Sequence, residues 1–191
     1  MHIEKEFRSL KAKKLIARNP LAKEAYDEIK EAIGAMTRAI NNAAKKSNGV
    51  SLMKEPFYQA LEARGWSREK PLEILSVKGG PIDVFKSFSN SFNVGIEVET
   101  GNAASSHRSL NKLLLGICNG ELDLAILMMP IHQLSVYLTD RVSNYEEISP
   151  YLRLVEQDPF IVIGFDVEEY SSDVPCLPKG TDGNSKRSVK V

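Results

Sequence analysis

The chain has 191 residues but only two cysteines, one tryptophan and three histidines, and it has no net charge. Cys118 and Cys176 lie far apart and match no zinc-ligand spacing, which argues against structural zinc and a disulfide framework and points to a reducing cytosol. No apolar run could cross a bilayer. The longest, Leu124 to Ile131, falls well short of the ~20 residues a spanning helix needs. Charged residues from Glu4 onward leave no apolar core for a signal peptide. A soluble cytoplasmic protein is therefore expected. What is present is an ordinary globular balance, 42% hydrophobic and 26% charged, enough to bury a core and too apolar for a disordered chain. The length is that of about one domain.

The neutrality hides polarity. Residues 1–50 carry 11 basic against 6 acidic groups, whereas residues 121–170 carry 2 basic against 10 acidic. Such a chain can present one positive face to a polyanion, although solvated faces of unrelated sign fit the same numbers.

Helical spacing opens the readable pattern. Asn19-Pro20 supplies a cap and a first-turn proline, and Tyr26, Ile29, Ile33, Met36 and Ile40 follow at three- and four-residue steps. A second helix is expected from Lys54 to Arg64, stopped by Gly65. The period then falls to two, and Leu72 to Val77, Ile82 to Phe85 and Val94 to Thr100 read as strands. A helix opened by Ser105-Ser106 runs to Asn119-Gly120. Leu122 to Met129 reads as a strand buried on both faces. Helices around Gln133 to Leu138 and Tyr145 to Leu154 follow, then a strand from Phe160 to Phe165. The fold class is α/β, a mixed five- to six-stranded sheet with helices on both faces. Residues 1–170 form the expected domain. Residues 171–191, rich in Ser, Pro, Gly and Lys, read as a flexible C-terminal arm.

The chemistry concentrates in Gly79-Gly80-Pro81-Ile82-Asp83-Val84 and Glu97-Val98-Glu99-Thr100-Gly101-Asn102. In a strand, Glu97 and Glu99 share one face, and a hairpin can set Asp83 beside Glu97. Three carboxylates so placed repel one another and resist burial, and a hard divalent cation such as Mg²⁺ gives them a reason to meet. The wet side of an amphipathic edge strand is the competing reading. Gly79, Gly80 and Gly101 permit close backbone approach. Lys86 reads as solvated or as a partner for phosphate.

These stretches resemble the PD-(D/E)xK nucleases, and within them the BamHI family of type II restriction endonucleases. The likeness extends through Arg68-Glu69-Lys70-Pro71-Leu72, Ser106-His107-Arg108-Ser109, Asn111-Lys112-Leu113-Leu114-Leu115-Gly116, Tyr137-Leu138-Thr139-Asp140-Arg141-Val142 and Pro178-Lys179-Gly180. The resemblance implies that Asp83, Glu97 and the Val98 carbonyl bind Mg²⁺ and that Glu69 is an outer carboxylate near a second ion. Glu99 stands where most of the superfamily has lysine, and it would orient or deprotonate the attacking water. Mn²⁺ would substitute, and Ca²⁺ would bind without supporting cleavage.

The same resemblance implies a DNA interface. Arg108 and Arg141 would read guanine, Asp140 would accept from cytosine, and Asn102 would meet a base edge. Lys54 and Lys112 would contact DNA, and Gly180 and Asp182 would belong to an arm entering a groove. From the residues alone, Ser105 and Ser106 are helix caps, His107 is a capping or packing residue, Asp140-Arg141 is a surface ion pair, and both lysines are solvated. Ala104 stands where the family has a contacting serine, with Ser105 the nearest substitute.

One set of readers covers half a palindrome, so a homodimer is implied, joined through the helices Ser105 to Cys118 and Tyr145 to Glu156. Leu114, Ile117 and Leu154 serve equally as core residues. The implied activity is Mg²⁺-dependent double-strand cleavage of a palindrome, GGATCC, leaving 5′-phosphates, beside a cognate DNA methyltransferase that is not a physical partner. A repair or recombination nuclease on the same core and a non-catalytic DNA-binding protein remain as alternatives.

Overall fold

The computed structural model describes residues 1–72, 80–89, 91–139 and 141–179. Its main sheet has six strands: β1 (His2–Arg8), β3 (Ser67–Lys70), β4 (Ile82–Phe88), β5 (Phe92–Val98), β6 (Leu124–Pro130) and β7 (Phe160–Asp166), in spatial order β1-β7-β6-β5-β4-β3. The sheet is mixed. β5, β6 and β7 run parallel to one another, while β1, β4 and β3 pair antiparallel with their neighbours. β2 (Ala39–Asn41) and β8 (Glu169–Ser171) form a separate parallel ribbon.

The centre of the sheet follows from composition. Every residue of β6 and β7 is buried, as continuous apolar runs require when helices cover both faces. One apolar cluster lies against α1 (Leu10–Arg18), α2 (Pro20–Gly34) and α3 (Ser51–Glu62). A second lies under α4 (Ala103–Cys118), α6 (Tyr145–Ile148) and a following 3-10 helix (Ser149–Val155). The short α5 (His132–Ser135) follows β6. Among the described residues no helix is long and apolar enough to cross a membrane.

The expected helix after Asn19-Pro20 is α2, and Asn19 Oδ1 caps it by accepting from Leu21 N–H. Met36 and Ile40 are buried beyond its end, with Ile40 in β2, so helical spacing there marks the core rather than the helix. The second helix begins earlier than expected, at Ser51, and ends at Glu62. Tyr145 to Leu154 is not one α-helix. Pro150 offers no N–H, and the chain tightens into the 3-10 turn after Ile148. The helix expected at Gln133 to Leu138 is the four-residue α5. β1, α1, β3 and β8 lie outside the predicted elements, and the expected strand from Leu72 to Val77 falls almost entirely outside the described residues.

Residues 171–179 lie along the body. Asn41 Nδ2 donates to the Ser172 and Val174 carbonyls at 3.2 and 2.6 Å. Fully buried Asn48 accepts from Leu177 N–H at 3.2 Å and donates to the Tyr137 carbonyl at 3.0 Å.

Candidate active site

The site begins where two strands part. The β4–β5 ladder runs from Phe88–Phe92 to Val84–Ile96 and stops there. β4 stays with β3 as far as Ile82–Lys70, and β5 stays with β6 as far as Val98–Met128. Side chains serve the backbone groups freed at this fork. Asp83 N–H donates to Glu97 Oε1 at 3.3 Å, and Val98 N–H donates to Asp83 Oδ2 at 2.9 Å. Continuing the register by one residue sets Asp83 opposite both Glu69 and Glu97, so three acids form a row across β3, β4 and β5. Glu69 has φ +53°, outside regular strand geometry.

A cleft of about 380 Å³ opens over the fork, and Glu69, Asp83, Glu97, Glu99, Lys54 and Arg108 are among its lining residues. Glu97 is its most buried acid, 4% exposed. Burial first, and the neighbouring Asp83 charge second, push its carboxyl up to about 7. The Lys112 ammonium, 2.5 Å from Glu97 Oε1, and the Ser109 hydroxyl pull the other way without cancelling this. Burial lowers the Lys54 ammonium, against the upward pull of Asp83, Glu99 and Glu97. Its Nζ donates to the Val98 carbonyl at 3.4 Å. Tyr58 is held protonated by burial and by the charges of Asp83 and Glu97.

Glu99 is held at both oxygens. Gly101 N–H donates to Oε1 at 2.5 Å, and Ser109 Oγ lies 2.9 Å from Oε2. A Cβ on Gly101 would meet Glu99 Oε1 at 2.7 Å, so a side chain there would shift the Glu99 carboxylate. The helix behind the strand carries Ser106, Ser109 and Lys112 at three-residue steps, all buried; Ser109 and Lys112 reach Glu97, and Ser106 pairs with Ser143. Ser109 was not among the expected site residues, although this spacing on an otherwise apolar face was its sequence signal.

The DNA-reading candidates are dispersed. Arg108 is exposed at the cleft, and Arg141 is exposed at φ +65° without lining it. Asn102 caps α4, its Oδ1 accepting from Ser105 N–H at 3.1 Å, so the helix opens at Ala103 and Ser105 and Ser106 are not its caps. Lys112 is buried between Glu97 and the Pro81 carbonyl, and Lys54 is half-buried in the cleft, so neither is simply solvated. Lys86 is neither solvated nor in the cleft: it is 16% exposed and pairs with Glu28 at 2.9 Å. His107 packs edge-on against Tyr151. Leu154 is 70% exposed, whereas Leu114 and Ile117 pack against the second core cluster. Asp140, Gly180 and Asp182 lie outside the described residues, as does Gly79.

Among the described residues no three His, Cys, Asp or Glu side chains converge as a metal-holding group. The expected grip by three acids is not formed, because Asp83 turns to Val98 N–H while Glu99 turns to Gly101 N–H and Ser109. The donor set still suits Mg²⁺. Hard carboxylate and carbonyl oxygens border one cleft, and this ion commonly keeps several waters and takes only one or two protein carboxylates. Glu97, raised by burial and by Asp83, is a group that an added cation would stabilise in its charged form.

A mixed sheet flanked by helices, with acids where its central strands diverge, defines a nuclease of the PD-(D/E)xK restriction-endonuclease fold. The family described as "Restriction endonuclease BamHI" matches residues 1–184. The chain is 52% identical to the type II restriction enzyme BamHI of Bacillus amyloliquefaciens over 204 aligned residues, covering 100% of this chain and 96% of that enzyme. It is 35% identical to the type II restriction enzyme OkrAI of Oceanobacter kriegii over 153 residues, 76% of this chain and 78% of that enzyme. The solved restriction endonuclease BglII, complexed with a DNA 16-mer, matches with a TM-score of 0.65 over 86% of this chain and 76% of that one; at 16% identity it speaks for the fold alone. The chain belongs to the BamHI restriction endonuclease family. It is a type II restriction endonuclease that cleaves a palindromic site in double-stranded DNA. Membership implies general dependence on Mg²⁺ and oligomeric action on DNA.

Proposed function

We propose that the chain acts in the cytoplasm as a homodimer on the palindrome GGATCC, with the fork between β4 and β5 as its cleavage site. The observation that carries this reading is one cleft over the diverging strands, lined by Glu69, Asp83, Glu97 and Glu99 together with Lys54 and Arg108. Asp83, Glu97 and the Val98 carbonyl would hold Mg²⁺, with Glu69 as an outer carboxylate. Mg²⁺ when bound makes water a better nucleophile and neutralises charge on the leaving oxygen. Mn²⁺ should replace it, and Ca²⁺ should allow binding without cutting.

The chain's own residues would do the rest. Glu99, held at both oxygens, orients the attacking water and accepts its proton. In-line attack breaks the bond to the 3′ oxygen, leaving a 5′-phosphate on one fragment and a 3′-hydroxyl on the other. Lys54 and Lys112, ammonium groups at the carboxylate cluster, lower its repulsion for the DNA backbone. Arg108, Arg141, Asp140 and Asn102 read base edges, and Gly180 and Asp182, past the segment that lies along the body, belong to an arm that reaches into a groove. Exposed Leu115, Tyr151 and Leu154 lie on the helices that would join the two protomers. A methyltransferase of the same system would protect the host's own sites.

Digestion of a plasmid carrying GGATCC, with sequencing of the ends, tests this reading. Discrete fragments broken within that sequence and bearing 5′-phosphates are expected. Cutting at another palindrome would overturn the assigned site.

A further inference from the structure

We infer that Ser109 is a positioning residue of the cleavage reaction, one hydroxyl that ties the metal-ligating carboxylate to the carboxylate that orients water. The inference deepens the roles proposed for Glu97 and Glu99 and rests on them. Ser109 Oγ lies 3.1 Å from Glu97 Oε2 and 2.9 Å from Glu99 Oε2, and the residue is 4% exposed. A serine hydroxyl has one proton, so it donates to one carboxylate at a time and keeps both within reach of the same donor.

Each carboxylate is otherwise held from one side. Glu97 Oε1 receives Lys112 Nζ and Asp83 N–H, and Glu99 Oε1 receives Gly101 N–H. Ser109 offers its single proton to the second oxygen of one or the other. Glu97 at the end of β5 and Glu99 just beyond it thus share one donor, which ties the orientation of one carboxylate to that of the other.

The position of Ser109 is set by the fold. It lies on the inward face of α4, one turn before Lys112 and one turn after Ser106, which pairs with Ser143. A helix is rigid enough to hold a hydroxyl against two strand residues, and loss of an outer-shell partner of a metal ligand typically costs about 10–100-fold in metal affinity or activity.

The test compares wild type, Ser109→Ala, Ser109→Thr and Glu97→Ala on a duplex carrying the site. Mn²⁺ affinity is measured separately, without DNA, by electron paramagnetic resonance. Ser109→Ala should lower kcat roughly tenfold or more with KM for DNA and thermal midpoint near wild type, and it should weaken Mn²⁺ binding several-fold. Ser109→Thr, which keeps the hydroxyl, should recover most of both. Wild-type kcat and Mn²⁺ affinity in Ser109→Ala would overturn the inference. So would a loss of kcat matched by a fall in thermal midpoint and left unrestored by threonine, since that is packing. The Glu97→Ala arm separates the two levels: an inactive Glu97→Ala beside a fully active Ser109→Ala rejects only the role of Ser109, whereas an active Glu97→Ala rejects the site itself.

Discussion

Asp83 and Glu97 replace the hydrogen bonds of the ladder at which their strands separate. The Asp83 N–H donates to the Glu97 carboxylate at 3.3 Å, while the N–H of Val98, the residue after Glu97, donates to the Asp83 carboxylate at 2.9 Å. Two acids that repel each other thereby satisfy the backbone of the opposite strand. The fork and the acidic cluster are one feature: if the ladder closed, the carboxylates would lose these donors, and without the carboxylates the freed N–H groups would be left unpaired.

Breaking the ion pair behind the fork should be costly. Lys112 and Glu97 are 10% and 5% exposed, so Lys112→Ala leaves a buried carboxylate without its closest cation. A loss of about 1–2 kcal/mol is expected at pH 8, because a carboxyl that titrates near 7 can neutralise by taking a proton once its cation is gone. Combining Lys112→Met with Glu97→Gln, which removes both charges, should recover much of it. Urea unfolding of the single and double variants measures the difference.

Stability without metal should fall as pH rises. The Glu97 carboxyl titrates near 7 in the folded chain against an ordinary value of 4.5, so the folded state binds the proton more tightly. The resulting stability is fully present below about pH 4.5 and is lost as pH passes through about 7. The span corresponds to roughly 3 kcal/mol as an upper bound. Glu97→Gln should remove most of this slope in chelator-treated protein, and an unchanged slope would assign it to other groups.

Gly49 should not tolerate a side chain. A Cβ there would lie 1.9 Å from the Pro178 carbonyl oxygen, and Gly49 N–H donates to the Leu177 carbonyl at 2.8 Å. Gly49→Ala must push residues 177–179 away and should cost roughly 1–3 kcal/mol. Faster hydrogen exchange in residues 171–179, read by mass spectrometry, is the expected local signature.

Arg141→Ala should weaken binding to the cognate duplex and leave binding to a scrambled one nearly unchanged. Losing a bidentate guanine contact costs about 1–3 kcal/mol against the correct base. Binding in Ca²⁺ to cognate and scrambled duplexes should converge by that amount. An equal loss on both would make Arg141 a phosphate contact.

Much of the frame is legible in the residues. The continuous apolar run of β6 reads as a central strand, and the two-residue period brings Asp83 and Glu97 onto neighbouring strands. Phe160 to Phe165 reads only as a strand, and its place inside the sheet comes from the fold. β1 was not legible, because His2–Arg8 is an edge strand whose alternation is blurred by charges and a register shift between Ile3 and Lys5. The cap of α4 was misplaced onto the serines because Asn102 and both serines are all good caps, and only the backbone decides among them. The environments of Lys112 and Lys86 were hidden for another reason. A lysine reads as surface until the fold sets a carboxylate beside it, as Glu97 and Glu28 do here.

The most direct measurement pairs cleavage with binding in Asp83→Ala and Glu97→Ala. Each variant is assayed for cutting of a GGATCC duplex in Mg²⁺ and for affinity to the same duplex in Ca²⁺. Cutting should vanish while affinity stays within a few-fold of wild type, because the two carboxylates serve the reaction and not the reading of bases. Cutting at the wild-type rate by either variant would contradict the assignment of the fork as the place where DNA is cleaved.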